Sequence, residues 1–110
     1  MKGFDFAVRA FELNPSPTPM MEILTFANFA ELKPNVDKVC ETFFRQYSEN
    51  RDKWSRQDGY RLKTLAAQLA CYHLRYAARS RGDRKLEEFY AEKEAECFAE
   101  LTRISQDKRW

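Results

Sequence analysis

The chain has 110 residues, with 44% apolar, 33% charged and 15% aromatic residues and a formal net charge of +2 at pH 7. This length suits one hydrophobic core, so we predict a single domain, with an arm and linker over residues 1–19 and a helical bundle over residues 20–110. The composition excludes disorder, and the lack of a long apolar run or a leader peptide predicts a soluble, cytoplasmic protein without a membrane partner.

The N-terminal arm carries phenylalanines whose spacing fits two conformations. Phe4, Phe6 and Val8 alternate as in a strand, whereas Phe4, Val8 and Phe11 share one helical face, so a short helix and an extended arm are both open. The prolines that follow predict irregular backbone over residues 14–19, because each proline removes a donor and disfavours helix at the residue before it.

The rest of the chain is predicted to form an all-α bundle of three or four helices. Thr18 and Pro19 can begin a helix that Pro34 ends. Asn35 can cap a second helix that ends near Gly59, a residue type that suits a left-handed C-terminal cap. These signals define the first two helices of the bundle.

The last two helices are predicted to form an antiparallel hairpin. One runs from Tyr60 to about Ser80 and Asp83 can cap the other, so a turn of a few residues joins them. The apolar stripe predicted for the first of these helices consists of Leu62, Leu65, Ala66, Leu69, His73, Tyr76 and Ala77. The side chains predicted to be buried in the core are Phe43, Tyr47, Leu65, Leu69, Leu86, Phe89 and Leu101.

Candidate catalytic and metal-binding residues are few. His73 is the sole histidine and lies on an apolar stripe, which favours a core position over a catalytic or ligand role. Cys40, Cys71 and Cys97 are odd in number and far apart, which predicts reduced thiols. We therefore predict no catalytic residue, no metal site and no cofactor, and keep an enzyme with Cys71 or Cys97 as nucleophile as an alternative.

Charge is distributed unevenly between neighbouring helices. Residues 86–100 hold six glutamates against one lysine, whereas residues 45–85 carry an excess of basic side chains. The glutamates that recur every fourth residue, and so share one helical face, are Glu88, Glu92, Glu96 and Glu100. The basic cluster beside the hairpin turn consists of Arg75, Arg79, Arg81, Arg84 and Lys85.

These charges leave three interpretations open. In the first, arginines of the basic cluster pair with Glu87 and Glu88 across the hairpin turn, which forms a solvated seam of little energy. In the second, the acidic face docks on a basic surface of a protein partner. In the third, the basic cluster binds nucleic-acid phosphates. We expect Glu92, Glu96 and Glu100 to be exposed in all three.

Aromatic side chains near the chain ends are candidate anchors for a partner or a second copy. They are Phe4, Phe6, Phe11 and Trp110. We predict a non-enzymatic interaction protein, an adaptor, regulator or inhibitor, that binds a protein partner through its charged helical faces and its aromatic arm. Nucleic-acid binding through residues 75–85 is the alternative function. For the aromatics of the arm, self-association and a purely structural role in core packing are the alternatives.

Overall fold

A computed structural model describes residues 2–106 of the chain. It contains α1 (Lys2–Leu13), α2 (Pro17–Leu24), a short 3-10 helix (Ala30–Leu32), α3 (Lys33–Trp54), α4 (Tyr60–Ser80) and α5 (Arg84–Gln106). No strand occurs among the described residues, so the predicted all-α class is confirmed. Buried side chains from all five α-helices join in one apolar cluster. None of the helices in residues 2–106 combines the length and apolarity needed to span a membrane.

The N-terminal arm is a helix packed on its own chain. Phe4, Ala7 and Phe11 recur at helical spacing on the side of α1 that is buried. The ring of Phe4 meets the edge of Phe26, with 5.4 Å between ring centroids. The helical alternative for the arm is thus confirmed, and the extended one is wrong.

The prolines begin helices rather than prevent them. Ser16 is extended and Pro17 is the first residue of α2, where its missing N–H would have no intrahelical acceptor. The predicted irregular segment therefore ends at residue 16, and the prediction for residues 17–19 is wrong. In the same way Pro34 lies in the first turn of α3 and does not end the preceding helix, which stops at Leu24.

Two glycines with positive φ bound α4. Gly59 has φ of 84° and is the N-terminal cap of α4. The prediction that it caps the end of the preceding helix is wrong, because α3 already ends at Trp54. Gly82 has φ of 75° in the turn to α5. The Asp83 N–H donates to the Ala78 carbonyl at 2.9 Å, which closes the end of α4. The Asp83 carboxylate accepts the Leu86 N–H at 3.1 Å and so caps α5. The predicted antiparallel hairpin of α4 and α5 is confirmed.

The buried face of α4 carries many small residues. They are Ala66, Ala67, Ala70, Cys71 and Ala78, and the larger Tyr60, Thr64 and Leu74 are buried with them. Short side chains let α3 and α5 approach the α4 backbone closely, because interaxial distance follows side-chain size. The bulky side chains of Leu62, Leu65, Tyr72 and Tyr76 remain exposed.

The predicted core is right for α3 and wrong for part of the hairpin. Phe43 and Tyr47 are buried, as predicted. Leu65 and Phe89 are exposed, which contradicts their core assignment. The remaining predicted core residues are half-buried: Leu69, Leu86 and Leu101. The error arises because α4 has apolar residues on two sides, so hydrophobic periodicity alone does not identify the face that meets α3.

Candidate functional site

The outward face of α4 carries a regular apolar seam. Its members follow the alternating spacing of three and four residues that aligns side chains along one side of a helix: Leu62, Leu65, Leu69, Tyr72 and Tyr76. Four of these five side chains are exposed, and Leu69 is half-buried. A seam with this spacing normally faces another helix, so its exposure sets α4 apart from the other helices.

The neighbouring face of α5 repeats the same spacing. The residues on it are Ala91, Glu94, Phe98, Leu101 and Ser105. Leu101 and Ser105 line a cavity of about 560 Å³ together with Leu62 and Leu65 of α4. Phe98 lies one turn before Leu101 on this face and is 52% exposed. We call the depression lined by Leu62, Leu65 and Leu101, together with the exposed Phe98 one turn away on α5, the α4–α5 groove.

A second apolar depression borders the α4 seam on the side of α2. Leu24 and Ala27 line it with Leu69, Tyr72 and Tyr76, and it encloses about 360 Å³. The seam of α4 is therefore a ridge with an apolar depression on each flank. The continuous apolar surface extends from the C-terminal end of α2 to α5.

A buried carboxylate divides the groove from the tyrosine end of the seam. Glu94 is buried, and its oxygens accept a hydrogen bond from Gln68 Nε2 at 3.0 Å and lie 3.2 Å from Arg75 Nη2. The Arg75 guanidinium lies 5.6 Å from the Tyr72 ring centroid and 5.1 Å from that of Tyr76. The Arg75 guanidinium neutralises Glu94, since a buried charge requires a partner. The same group holds the rings of Tyr72 and Tyr76 through cation–π contacts.

The rim of this surface is basic. Arg61 lines the groove, and Arg79 continues the seam one turn beyond Tyr76. Both arginines are exposed, and neither forms an ion pair with any residue in the described part of the chain. Each end of the exposed apolar seam thus carries an arginine that forms no ion pair within residues 2–106.

A separate polar cluster holds α3, α4 and α5 together behind the groove. Tyr60 Oη donates to Glu100 Oε2 at 2.5 Å, and Tyr47 Oη lies 3.2 Å from Tyr60 Oη and 3.0 Å from Thr64 Oγ1. Burial raises the pKa of Tyr47. This cluster is fully hydrogen-bonded, so its observed role is to join the helices.

Glu100 is the charged member of that cluster. Arg103 donates a hydrogen bond to it, and with the Tyr60 hydroxyl and the nearby Arg51 it lowers the pKa of Glu100 to about 2 against the opposing effect of burial. Arg51 Nη2 lies 3.5 Å from the carboxylate. The expected exposure of Glu100 is therefore wrong, because cations and a hydroxyl allow the carboxylate to be buried.

The rest of the predicted acidic face is exposed. Glu88, Glu92 and Glu96 point to solvent, as predicted, and Glu96 pairs with Lys93 at 3.1 Å. These residues lie on the opposite side of α5 from Phe98 and Leu101. The acidic face and the apolar groove are thus two distinct surfaces of one helix, and the role of the acidic face in partner binding stays a prediction.

Of the three phenylalanines of the N-terminal arm, Phe6 is the exposed one. Phe4 and Phe11 are buried within the chain, whereas Phe6 is 75% exposed. Trp110 lies outside the described residues. The expectation that the arm presents several rings is therefore wrong for Phe4 and Phe11, because the folding of α1 as a helix turns them onto α2.

The basic cluster is divided by internal ion pairs. Arg75 pairs with Glu94, and Arg81 Nη1 lies 3.8 Å from Asp37 of α3. The described ion pairs include none with Glu87 or Glu88, so the predicted seam across the hairpin turn is wrong. Arg79, Arg84 and Lys85 are exposed. Nucleic-acid binding stays a prediction that rests on these three.

Cysteine and histidine chemistry has little access to solvent. Cys40, Cys71 and Cys97 are free and buried, and burial raises the pKa of Cys40. His73 Nε2 lies 2.5 Å from Asp37 Oδ1, a contact that joins α4 to α3. Within residues 2–106 no three acidic, cysteine or histidine side chains are arranged to hold a metal ion.

The comparisons with known proteins add no relative to this description. No protein-family model, no curated protein and no solved structure matches the chain. The candidate site therefore rests on geometry. The sequence predicted Leu62, Leu65, Leu69 and Tyr76 as part of one apolar stripe and assigned Leu65 and Leu69 to the core. With Tyr72 these residues alternate at three and four positions, and that spacing was the available signal for a separate exposed seam.

Proposed function

We propose that this protein is a non-enzymatic interaction protein, an adaptor, regulator or inhibitor, and that the α4–α5 groove with the α4 seam is its binding surface for a protein partner. The observation that carries the proposal is the exposure of Leu62, Leu65 and Phe98, beside the half-buried Leu101, in register on two adjacent helices. Contiguous apolar surface of this kind is typical of interaction sites.

The internal packing of the protein supports this assignment. The buried side of α4 is complete without the seam, since its alanines and Cys71 already meet α3 and α5. Leucines that contribute little to the core leave apolar area in water, and burying such area is favourable by about 25 cal/mol per Å². A partner that covers the groove would recover this energy.

The acidic face of α5 and the exposed ring of α1 would contribute peripheral contacts to this interface. Glu88, Glu92 and Glu96 form an exposed acidic face, and Phe6 is the exposed ring of α1. Charged rims of this kind influence association rates and orientation more than affinity. We therefore assign the main contact to the groove and leave these residues to the periphery of the interface.

A display selection on the purified protein tests this function and does not require an identified partner. Random peptides of about 16 residues, long enough for a helix of about 24 Å, are selected on the immobilised protein. Selected peptides should lose binding to Leu65→Glu and keep binding to Leu13→Glu, a matched change on the exposed side of α1. Peptides that bind both variants equally would place the binding surface elsewhere and contradict the proposal.

A further inference from the structure

Building on this proposed function, we infer that the groove binds an amphipathic α-helix whose apolar stripe is flanked by acidic side chains. The inference depends on three features of the site: the spacing of its apolar residues, the lack of a backbone edge, and the sign of the charges at its rim. Each feature constrains a different property of the partner.

The spacing of the apolar residues favours a helical partner. From Leu62 to Tyr76 the α4 seam repeats with heptad spacing over fifteen residues, or about 21 Å of helix. The facing residues of α5 keep the same spacing. A groove between two antiparallel helices with this repeat accepts the side-chain ridge of a third helix. The site is thus shaped like the vacant position of a helical bundle.

The backbone around the site disfavours an extended partner. An extended peptide gains affinity chiefly by adding a strand to the edge of a sheet. Residues 2–106 contain no strand, and both walls of the groove are continuous helices whose backbone groups bond internally. The contact therefore has to be made between side chains, which a helix presents on one face without exposing its own backbone.

The rim charges favour acidic flanks on that helix. Arg61 and Arg79 stand near the two ends of the seam, and neither forms an ion pair with a carboxylate of residues 2–106. Glu94, the carboxylate buried beside the seam, is neutralised by Arg75. A partner helix with glutamate or aspartate beside its apolar stripe can pair with both free arginines, whereas a basic helix meets like charge at each end.

The same charges argue against a second copy of this chain as the occupant. Arg61 and Arg75 lie on the same flank of the seam, two heptads apart. In an antiparallel pair of two α4 helices identical flanks face each other, so Arg61 would meet Arg75 of the second copy. The carboxylate beside Arg75, Glu94, is already paired with it and offers no partner to Arg61. The acidic face of α5 lies on the far side of that helix and cannot compensate for them.

Two designed helical peptides test the inference. Both carry leucines at heptad spacing over about 18 residues; one has glutamate and the other lysine at the flanking positions. Fluorescence anisotropy measures their binding to the full chain at about 0.15 M salt, where surface charges are partly screened. We expect the glutamate peptide to bind about tenfold more tightly, because each flanking pair changes from repulsive to attractive.

Matched variants connect this preference to the rim. Arg61→Ala with Arg79→Ala should reduce the preference to about twofold, whereas Arg9→Ala with Arg45→Ala, on the exposed surfaces of α1 and α3, should preserve it. Leu65→Glu should abolish binding of both peptides. This last result shows that the groove itself is occupied.

The outcomes separate the two proposals. If both peptides bind equally and Leu65→Glu abolishes that binding, the groove remains the binding surface and the acidic partner is overturned. Tighter binding of the lysine peptide also overturns the acidic partner. Binding of neither peptide overturns the helical occupant, and the display selection then decides the function independently. Two other results would also overturn the acidic helical partner. One is a dimer, seen by light scattering, that is lost in Leu65→Glu and retained in Leu13→Glu. The other is displacement of the glutamate peptide by duplex DNA.

Discussion

Tyr60 and Glu100 lie 40 positions apart in the sequence, and the Tyr60 hydroxyl donates a 2.5 Å hydrogen bond to the Glu100 carboxylate. The bond joins the first residue of α4 to the last quarter of α5. Tyr47 of α3 meets the same tyrosine hydroxyl at 3.2 Å. One polar cluster thus fixes the relative positions of the three long helices and holds the two walls of the groove.

Removal of the Glu100 carboxylate should destabilise the fold. Glu100→Ala leaves the buried Tyr60 hydroxyl without its acceptor and Arg51 without its anion, and an unsatisfied buried polar group costs about 1–3 kcal/mol. Glu92→Ala, an exposed change on the same helix, should alter the free energy of unfolding by about 0.5 kcal/mol or less. Urea unfolding measures both, and equal effects would contradict the structural role of Glu100.

The contribution of Glu100 to stability should depend on pH. Arg103, the Tyr60 hydroxyl and Arg51 lower its pKa to about 2 in the folded state from the ordinary value of 4.5. The unfolded state therefore binds the proton first, so the stabilisation is complete above about pH 4.5 and is lost as pH falls toward 2.

The wild type and Glu100→Gln reveal this dependence by comparison. The difference between their free energies of unfolding should be constant near neutral pH and should shrink steadily between about pH 4.5 and 2. Titrating groups common to both proteins cancel in the difference. A difference that stays constant through this range would show that the carboxylate is not stabilised in the folded state.

The Cys97 thiol should react with an alkylating reagent before the Cys40 thiol does. A hydrogen bond from Cys71 lowers the pKa of Cys97, and Cys97 lines a cavity of about 180 Å³ between α3 and α5. Burial raises the pKa of Cys40, which has no exposed surface. Because the thiolate is the reactive form, iodoacetamide should modify Cys97 before Cys40 in the native protein. Mass spectrometry of timed samples determines the order of modification. Modification of Cys40 before Cys97 would contradict the prediction. In denaturant the two thiols should react at equal rates.

The groove variant should fold normally. Leu65 is 37% exposed and lies outside the apolar cluster of the core, so Leu65→Glu should change the free energy of unfolding by about 0.5 kcal/mol or less. Phe43→Ala, in the centre of the core, should cost about 3–5 kcal/mol. Thermal or urea unfolding distinguishes these cases. A large loss in Leu65→Glu would return this leucine to the core and remove the basis of the groove.

The helical class and the turn between α4 and α5 could be predicted because their signals are local. Gly82 and Asp83 determine the hairpin turn through a positive φ and a capping carboxylate, and neither depends on distant residues. The prolines were wrongly predicted because proline is favoured in the first turn of a helix and disfavoured in its interior. Pro17 and Pro34 both lie in a first turn, where no intrahelical hydrogen bond is lost.

The orientation of α4 and the burial of Glu100 could not be predicted, since both depend on tertiary partners. The leucines and tyrosines of the seam on one side of α4, and the alanines with Leu74 on the other, each satisfy helical periodicity. Only the approach of α3 and α5 selects the side with the alanines. The spacing of Glu100 matches that of exposed glutamates. Its burial follows from Tyr60 and Arg51, which lie 40 or more positions away.

The most direct test of the α4–α5 groove as a protein-binding surface is amide chemical-shift mapping of the labelled protein with the tightest peptide from the display selection. We expect the largest shifts at Leu62, Leu65, Phe98 and Leu101 and little change on α1. Shifts that cluster instead at the exposed Arg79, Arg84 and Lys85, or at the glutamates on the far side of α5, would contradict the assignment of the groove as the binding surface.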